Sequence, residues 1–317
     1  MALRVAAFAG GVGGAKLADG LSRSLPDDHL TMIVNTGDDF EHLGLMISPD
    51  LDTVTYTLAG IANPETGWGR ADESWNFLQV LETLGGPTWF RLGDRDLALH
   101  VERTRRLQEG QALSAITADM ARRLGVKQRV LPMTDDRVRT FVDTDRGELP
   151  FQEYFVMHRC EPRVRKFRFA GSRVARPAPG VLEAIESADI IVFCPSNPWV
   201  SLDPILSLTD IACAVIEKPI VGVSPIVGGK ALRGPAAKMF MELGIEPSAR
   251  NVADHFKAYL NAFVIDSDDR SSADAIENLG MEVLVTNAVM RTVEDRERLA
   301  RDVLGLAKGL LEGQRSS

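Results

Sequence analysis

The chain is predicted to adopt a doubly wound α/β fold with a mostly parallel, Rossmann-like sheet, and three observations predict it. Short apolar runs recur along the sequence: 5–8, 30–34, 190–194, 219–223, 262–265 and 283–285. Helical periodicity fills several of the intervals, and strands that alternate with helices indicate a parallel sheet. The runs are almost continuously apolar, which is typical of strands that are buried on both faces.

The composition restricts the classes of function. A chain of 317 residues, 45% apolar and 25% charged, can form one large domain or about two ordinary ones. The formal net charge of −8 argues against binding to nucleic acid or to an anionic membrane. No run approaches the ~18 apolar residues of a membrane span, and the N-terminus lacks the pattern of a signal peptide. We therefore expect a cytoplasmic protein with neither a nucleic-acid nor a membrane partner.

The segment 66–169 departs from the alternation of strands and helices. Three stretches in it have helical periodicity: 72–84, 96–107 and 114–124. Further on, Thr144-Asp-Arg-Gly147 predicts a β-hairpin turn in which the glycine adopts a positive φ. We predict that 66–169 is a helical and hairpin insertion that forms a smaller second domain over the site. The nucleotide-binding α/β core then comprises 1–65 and 170–317.

A glycine-rich segment, Ala9-Gly-Gly-Val-Gly-Gly-Ala-Lys16, joins the first apolar run to an amphipathic stretch at 17–25. Glycines let the backbone approach a phosphate, and a helix N-terminus attracts negative charge. The segment is not a dinucleotide fingerprint, because Lys16 stands where the third glycine belongs. It is not a Walker loop either, because Gly14-Ala-Lys16-Leu17 interrupts the required Gly-Lys-Ser/Thr. Close packing of a helix on the sheet is the alternative use of such glycines. We predict a phosphate site formed by Gly10, Gly11, Gly13, Gly14 and Lys16.

Two acidic clusters follow. Asp38 and Asp39 come after the second apolar run, and Asp50 and Asp52 come about a dozen residues later. Carboxylates at the carboxyl edge of a parallel sheet can hold a hard cation such as Mg²⁺, usually with several waters retained. Capping of the next helix is the alternative function of Asp52, since acidic groups stabilise a helix N-terminus. We predict that carboxylates of these clusters hold Mg²⁺ beside a bound phosphate.

Three further polar loops contain candidate ligand-binding groups. Arg91 stands in a turn, 91–96, that could present its guanidinium to an anionic or carbonyl-bearing ligand, although the turn's acids could also simply cap a helix or pair with arginine. The other two loops, 195–199 and 223–230, each follow a buried apolar run. Their candidate hydrogen-bond donors are Ser196, Asn197, Ser224, Gly228 and Gly229. Because the carboxyl ends of parallel strands share one edge, these loops and the N-terminal glycines predict a site large enough for a nucleotide.

Seven blocks of sequence occur in the order found in one protein family: Gly10-Gly-Val-Gly-Gly-Ala-Lys16, Asn35-Thr-Gly-Asp-Asp39, Ser48-Pro-Asp-Leu-Asp-Thr-Val54, Leu92-Gly-Asp-Arg-Asp96, Leu131-Pro-Met-Thr-Asp-Asp136, Pro195-Ser-Asn-Pro198 and Val223-Ser-Pro-Ile226. From about residue 3 to about residue 300, the chain closely resembles the 2-phospho-L-lactate transferase family of deazaflavin coenzyme F-420 biosynthesis. It departs from archaeal members in Val-Gly-Gly-Ala, where they tend to have Thr-Gly-Thr-Pro, and in Phe40-Glu-His42, where an aromatic-rich stretch is common. Both departures bear on the choice of donor more than on the type of reaction.

The resemblance implies a Mg²⁺-dependent transferase that is a homodimer. Its acceptor would be 7,8-didemethyl-8-hydroxy-5-deazariboflavin, and its donor a guanosine diphosphate ester of lactate, enolpyruvate or glycerate, from which GMP leaves. By motif position, Asp50 and Arg91 would contact the acceptor, and the glycine-rich and later polar loops would hold the guanosine diphosphate. We hypothesise that Asp50 binds Mg²⁺ or helps to deprotonate the ribityl hydroxyl, with Asp38 assisting. Trp68 could stack on the deazaflavin ring or be an ordinary core residue.

Two other classes of function compete with the transferase. The first is a non-enzymatic regulator that binds a nucleotide sugar, since a related bacterial family has the same glycine segment. Such a regulator would not need the blocks at 91–96 and 131–136, which are present here. The second is an NAD(P)-dependent oxidoreductase, which the strand, glycine turn and helix favour and Lys16 opposes. A test for binding of a nicotinamide cofactor separates the second class from the others.

Overall fold

The computed structural model describes residues 2–232 and 234–316. Within these residues, seven strands form one parallel sheet. They are β1 (Val5–Ala9), β2 (Leu30–Val34), β3 (Arg129–Pro132), β4 (Ile190–Phe193), β5 (Ile220–Val223), β6 (Ala262–Asp266) and β7 (Glu282–Thr286). Their spatial order is β7-β6-β5-β4-β1-β2-β3. This order confirms the predicted doubly wound, Rossmann-like α/β fold.

Helices lie between the strands in the chain. They are α1 (Gly11–Ser24), α2 (Pro49–Leu58), α3 (Asn76–Thr83), α4 (Asp94–Gln108), α5 (Leu113–Arg123), α6 (Val181–Ser187), α7 (Asp203–Leu206), α8 (Thr209–Ile216), α9 (Ala236–Glu242), α10 (Ala249–His255), α11 (Ala273–Glu277) and α12 (Val293–Ser316). No single helix in the described ranges is long and apolar enough to cross a membrane, although the bent pair Pro198–Leu206 and Thr209–Ile216 passes by length and composition.

Two apolar cores lie on opposite faces of the sheet. Along β1, Ala6 and Phe8 belong to one core, whereas Ala7 and Ala9 belong to the other. Because each central strand must bury both faces, its sequence is a continuous apolar run. This requirement explains why the predicted run 30–34 coincides with β2.

The topological switch point of the sheet lies between β1 and β4. From β1 the chain proceeds to β2 and β3 on one side, and β4 begins the series that extends to β7 on the other. Ligands of doubly wound sheets bind in the crevice outside the carboxyl ends of the strands at this point. The fold therefore predicts a ligand site at the segments that follow Ala9 and Phe193.

The segment 66–169 differs from the predicted insertion in one respect. It contains β3, which pairs in parallel with β2 and forms one edge of the central sheet. The rest of the segment includes the predicted hairpin, in which 139–144 pairs with 147–150 and Gly147 has a φ of 106°. A third strand, Val164–Ala170, completes this small antiparallel sheet.

Two helices of this segment begin at places that local periodicity does not indicate. The start predicted at residue 72 is wrong, because α3 begins at Asn76, where the Asp94 carboxylate accepts the backbone N–H groups of Asn76 and Phe77. In return, the Glu73 carboxylate accepts the N–H groups of Arg95 and Asp96 at the start of α4. The first residue of α4, Asp94, thus caps α3, and Glu73, which precedes α3, caps α4. Because neither cap comes from the helix's own sequence, no local pattern marks either start.

Candidate functional site

The Asp50 carboxylate is fixed at the switch point, close to the end of β1. The helix that follows the second acidic cluster, α2, begins at Pro49, so Asp50 lies in its first turn. Asp50 Oδ1 accepts a hydrogen bond from the backbone N–H of Gly11 at 2.7 Å, and its Oδ2 accepts one from the Asn35 amide at 2.9 Å. Burial raises the pKa of Asp50 to about 6, while these two hydrogen bonds oppose the rise. A carboxyl group with this pKa can exchange a proton near neutral pH.

Asn35 holds the crevice together, and sequence reasoning did not assign it a role. It is fully buried at the end of β2, and its Nδ2 donates both to Asp50 and to the Val200 carbonyl at 3.0 Å. Its Oδ1 accepts the Gly37 N–H at 2.7 Å. The only signal for Asn35 in the sequence was its place in the block Asn35-Thr-Gly-Asp-Asp39.

Asp38 and Asp39 form a buried acidic turn after β2. One oxygen of each, Oδ1 in both cases, has no hydrogen-bond partner within residues 2–232 and 234–316. Burial raises the pKa of Asp38 well above its usual range, and the negative charge of Asp50 raises it further. Burial also raises the pKa of Asp39 to about 7, although Arg139 and a hydrogen bond from Ser48 oppose this. Buried carboxylate oxygens without donors are costly, so this turn would be stabilised by a cation or by donors on a ligand.

We expect Asp39→Asn to increase the stability of the protein by an amount that grows as the pH rises from about 4 to about 7. The folded-state pKa of about 7 lies above the usual 3.8, so the folded state keeps a proton that the unfolded chain has lost, and stability falls across this window. The loss is on the order of 1–4 kcal/mol, since each pKa unit corresponds to about 1.4 kcal/mol. Thermal unfolding of both proteins without divalent cations checks this, and a pH-independent difference would contradict it.

Asp38 and Asp50 are compatible with a Mg²⁺ site that the substrate completes. The described residues contain no group of three or more His, Cys, Asp or Glu side chains placed to hold a metal ion. Magnesium, however, usually binds through one or two carboxylates, substrate phosphates and water. The unpartnered Asp38 Oδ1 and the repulsion between Asp38 and Asp50 fit a site of this kind.

Most of the N-terminal glycines serve close packing. A Cβ on Gly13 would lie 2.2 Å from the Pro195 carbonyl oxygen, and one on Gly10 would lie 2.5 Å from Asp50 Oδ2. A Cβ on Gly14 would lie 2.6 Å from the Ser196 hydroxyl. Gly11 faces open space and has a φ of 63°. These glycines therefore bring the first turn of α1 against the ends of β1 and β4, and the N–H groups of this turn lack intrahelical partners.

Two predicted ligand contacts have protein partners. The Ser196 hydroxyl donates to the Gly10 carbonyl at 2.9 Å and accepts the Gly10 N–H at 3.2 Å, so it joins the segments that follow β1 and β4. The Lys16 ammonium donates to the Met290 carbonyl at 2.7 Å. Ser196 therefore shapes the wall of the crevice, and Lys16 joins α1 to the segment that follows β7.

The two later loops lie after β4 and β5, as predicted. Asn197 Oδ1 accepts the Trp199 N–H, and Ser224 Oγ donates to the Ile226 carbonyl. Gly228 and Gly229 have φ values of 54° and 74°, and the Gly228 N–H contacts the Asp269 carboxylate. The internal hydrogen bonds of Asn197 and Ser224 define the shape of these loops.

Arg91 is exposed at the start of the segment that leads into α4. Its guanidinium lies over the Trp75 ring, 4.6 Å from the ring centroid. Trp68, proposed as a stacking residue, is 51% exposed and therefore is not a core residue. The stacking role of Trp68 remains a prediction.

A cavity of ≈ 230 Å³ adjoins the acidic turn, and sequence reasoning did not anticipate it. Its wall includes Asp38 and Asp39, the aromatic residues Phe40, Trp89, Phe141 and Phe151, and the arginines Arg137 and Arg139. These aromatic residues come from separate parts of the chain, which is why no local pattern reveals them. The cavity combines flat apolar surfaces with charged groups at the edge of the candidate site.

Asp52 is as buried as Asp38 and Asp50, but its carboxylate already has a cationic partner. It lies in the first turn of α2, 6% exposed, and its carboxylate is paired with the guanidinium of Arg103. Its position in the first turn agrees with the alternative of helix stabilisation, since negative charge is favourable there.

Fold and site together define a doubly wound α/β protein with acidic and glycine-rich segments gathered at the switch point of its sheet. Residues 5–301 match the family model described as 2-phospho-L-lactate transferase CofD, and the chain belongs to this family. It is 43% identical over 314 residues to a phosphoenolpyruvate transferase of Streptomyces griseus, covering 96% of this chain and 99% of that protein. It is likewise 43% identical over 313 residues to a 2-phospho-L-lactate transferase of Methanopyrus kandleri, covering 98% of this chain and 100% of that protein. The resemblance found in the sequence is thus confirmed.

A solved structure shares the fold. A UPF0052-family protein from Bacillus halodurans superimposes with a TM-score of 0.64 at 15% identity, covering 96% of this chain and 99% of that chain. This similarity supports the architecture over almost the whole chain and carries no information about the reaction. The family match and the 43% identities identify the chain as a transferase of the 2-phospho-L-lactate transferase type.

Proposed function

We propose that this protein transfers a phospho-three-carbon-acid group from a guanosine diphosphate ester to 7,8-didemethyl-8-hydroxy-5-deazariboflavin and releases GMP in coenzyme F-420 biosynthesis. The group is 2-phospholactate, phosphoenolpyruvate or 3-phosphoglycerate. The observation that carries the proposal is the buried Asp50 carboxylate, held 2.7 Å from the N–H of Gly11 where the first turn of α1 meets the switch point. This arrangement places a proton acceptor beside a turn suited to bind phosphate.

The guanosine diphosphate part of the donor binds along the carboxyl ends of β1, β4 and β5. The first turn of α1 offers N–H groups and a positive partial charge to the diphosphate. The loops that contain Asn197 and Gly228 extend this edge toward the nucleoside. Because relatives with two different names, phosphoenolpyruvate transferase and 2-phospho-L-lactate transferase, are equally similar to the chain at 43% identity, similarity does not select the acid.

The reaction needs placement and charge neutralisation more than covalent help from the protein. The acceptor's ribityl hydroxyl oxygen bonds to the phosphorus that carries the three-carbon acid, the bond from that phosphorus to the GMP phosphate oxygen breaks, and GMP leaves with the bonding electrons. Asp50 takes the hydroxyl proton, and Asp38 assists as the second carboxyl group beside it. Asp38 and Asp50 would hold Mg²⁺, which would supply neutralisation of the negative charge on the diphosphate.

The acceptor ring occupies the cavity beside Asp38, whose aromatic walls suit a flat heterocycle. Arg91, at the start of the segment that leads into α4, also contacts the acceptor.

We expect Arg91→Gln to raise the KM for the acceptor by about tenfold and to leave the KM for the donor unchanged, since one charged contact is worth about 1.4 kcal/mol or more. Arg95→Gln is the matched control, because Arg95 is exposed four residues further on. Equal effects of the two substitutions on both KM values would contradict this role.

We expect the proposed enzyme to be a homodimer. The helix α3 has no buried residue, and the apolar side chains of Phe77, Val80 and Leu84 are 37%, 59% and 79% exposed on it or directly after it. An apolar helix face of this kind is suited to contact a second copy of the chain.

The transferase is distinguished from the nucleotide-sugar-binding regulator by its nucleotide product. With donor, Mg²⁺ and acceptor present, chromatography should show GMP, and omission of the acceptor should suppress it. Release of GMP without the acceptor would indicate hydrolysis. Intact donor in both reactions, with tight binding of a nucleotide sugar, would favour the regulator.

A further inference from the structure

A buried ion pair joins α2 to α4 next to the candidate site. Arg103 of α4 binds Asp52 of α2 through both terminal guanidinium nitrogens. Nη1 donates to Oδ2 at 3.1 Å, and Nη2 donates to Oδ1. The two side chains are only 4% and 8% exposed. Asp52 is two residues from Asp50, in the same first turn of α2.

The ion pair continues into a second contact between the same helices. Arg103 Nη1 also lies 3.3 Å from His100 Nδ1, and His100 Nε2 lies 3.3 Å from Asp96 Oδ1. Because arginine only donates, Nδ1 must accept, which places the proton of a neutral His100 on Nε2, facing Asp96. The Tyr56 hydroxyl then donates to Asp96 Oδ1 at 2.6 Å. The helix α2 is therefore bonded to α4 in its first turn, through Asp52, and again in its last turn, through Tyr56.

The helix α4 also holds the segment that follows the acidic turn. This segment is a small hairpin in which 40–42 pairs with 45–47. The Met46 N–H donates to the Thr104 hydroxyl at 2.7 Å, and Arg103 Nη1 lies 3.5 Å from the Met46 carbonyl. One helix thus contacts the element that bears Asp50, contacts the hairpin after Asp39, and begins three residues after Arg91.

Stability alone does not account for this network. A buried ion pair costs desolvation that its attraction barely repays, and apolar residues of similar volume often stabilise a protein as well or better. Directional hydrogen bonds do what apolar contacts cannot, because they fix the rotation and register of one helix against another. Three residues further along α4, Arg106 pairs with Asp119 of α5 in a more exposed position, at 14% and 23% exposure.

We infer that Arg103 is a positioning residue. It fixes the orientation of α4 against α2, so that Asp50 and Arg91 contact the same acceptor molecule. This inference rests on the proposed function. If the Arg103–Asp52 ion pair is weakened, Asp50 and Arg91 keep their functional groups, but the distance and angle between them are no longer fixed. Small displacements in an active site cost up to about 10²-fold in rate.

The test compares Arg103→Lys with Arg106→Lys, which makes the same change in the ion pair between Arg106 of α4 and Asp119. Lysine keeps the charge but cannot form the two-pronged contact. Arg103→Lys should raise the acceptor KM and the acceptor dissociation constant about tenfold, with the donor KM within about twofold of the wild type. Arg106→Lys should behave like the wild type in all three. Tyr56→Phe, which removes only the hydrogen bond to Asp96, should show a smaller shift in the same direction and serves if Arg103→Lys does not fold.

A structural role alone would lower the melting temperature or the fraction of active enzyme without a selective change in acceptor affinity. Folded Arg103→Lys or Tyr56→Phe protein with the same acceptor affinity as Arg106→Lys would overturn the inference and leave the transferase intact. Wild-type protein that binds the acceptor but forms no product would overturn the proposed reaction, and the dissociation constants would still decide the role of Arg103. Failure of the wild type to bind the acceptor would overturn both.

Discussion

Asp50→Asn should lower kcat by about 10²- to 10⁴-fold and leave the free energy of unfolding within about 2 kcal/mol of the wild type. Asparagine has nearly the same shape but cannot take the ribityl proton. It also keeps only one of the two hydrogen bonds, since a carboxamide has one acceptor oxygen and Asp50 accepts from both Gly11 and Asn35. Relief from burying a charge, which is what raises the pKa of Asp50 to about 6, offsets that loss in the folded state.

The matched control is Asp295→Asn. Asp295 also stands in the first turn of a helix, α12, and accepts backbone N–H groups, those of Arg291 and Thr292, but it does so at the exposed surface. Its replacement should leave kcat unchanged. Steady-state rates and urea unfolding of both variants check the prediction. An Asp50→Asn enzyme with wild-type kcat would exclude Asp50 as the proton acceptor.

Gly13→Ala should abolish binding of the guanosine diphosphate part and destabilise the protein. The new Cβ would lie 2.2 Å from the Pro195 carbonyl oxygen, and a backbone atom cannot rotate out of the way. The start of α1 must then move off the end of β4, which takes the Gly11 N–H away from Asp50. Overpacking of this kind costs about 1–3 kcal/mol or more. Calorimetric titration with GDP and urea unfolding measure the two effects.

Gly305→Ala provides the control for that substitution. Gly305 lies within α12, and a Cβ there would have no other atom within 4 Å. Alanine should therefore stabilise the helix by up to about 1 kcal/mol and leave GDP binding unchanged. If Gly13→Ala bound GDP as tightly as Gly305→Ala does, the first turn of α1 would not be the diphosphate site.

The central strands could be predicted because burial on both faces leaves a continuous apolar run, as in β2 and β4. The edge strand β3 escaped prediction for the converse reason. It is four residues long, begins with the exposed Arg129 and ends with Pro132, and an edge position tolerates both. Its place in the sheet depends on pairing with β2, which no local pattern encodes.

The acids of the site could be named from their blocks, but their partners could not. Arg103 is 51 residues from Asp52 in the chain, and Asn35 is 165 residues from Val200. Lys16 stood at a position that suggested a phosphate contact, yet its ammonium donates to Met290, 274 residues away. Such pairings arise from helix packing over the whole fold, so sequence spacing identifies the chemistry and the three-dimensional structure assigns the contacts.

The central claim is that the crevice at the switch point joins a three-carbon acid to a deazaflavin through phosphate. The most direct measurement is mass spectrometry of the acceptor after incubation with the protein, Mg²⁺ and an equimolar mixture of the lactate, enolpyruvate and glycerate donors. The account predicts a phosphodiester-linked deazaflavin, formed in equal amount with GMP, whose mass identifies the preferred acid. An unchanged acceptor with all three donors intact, from protein shown to bind the acceptor, would contradict it.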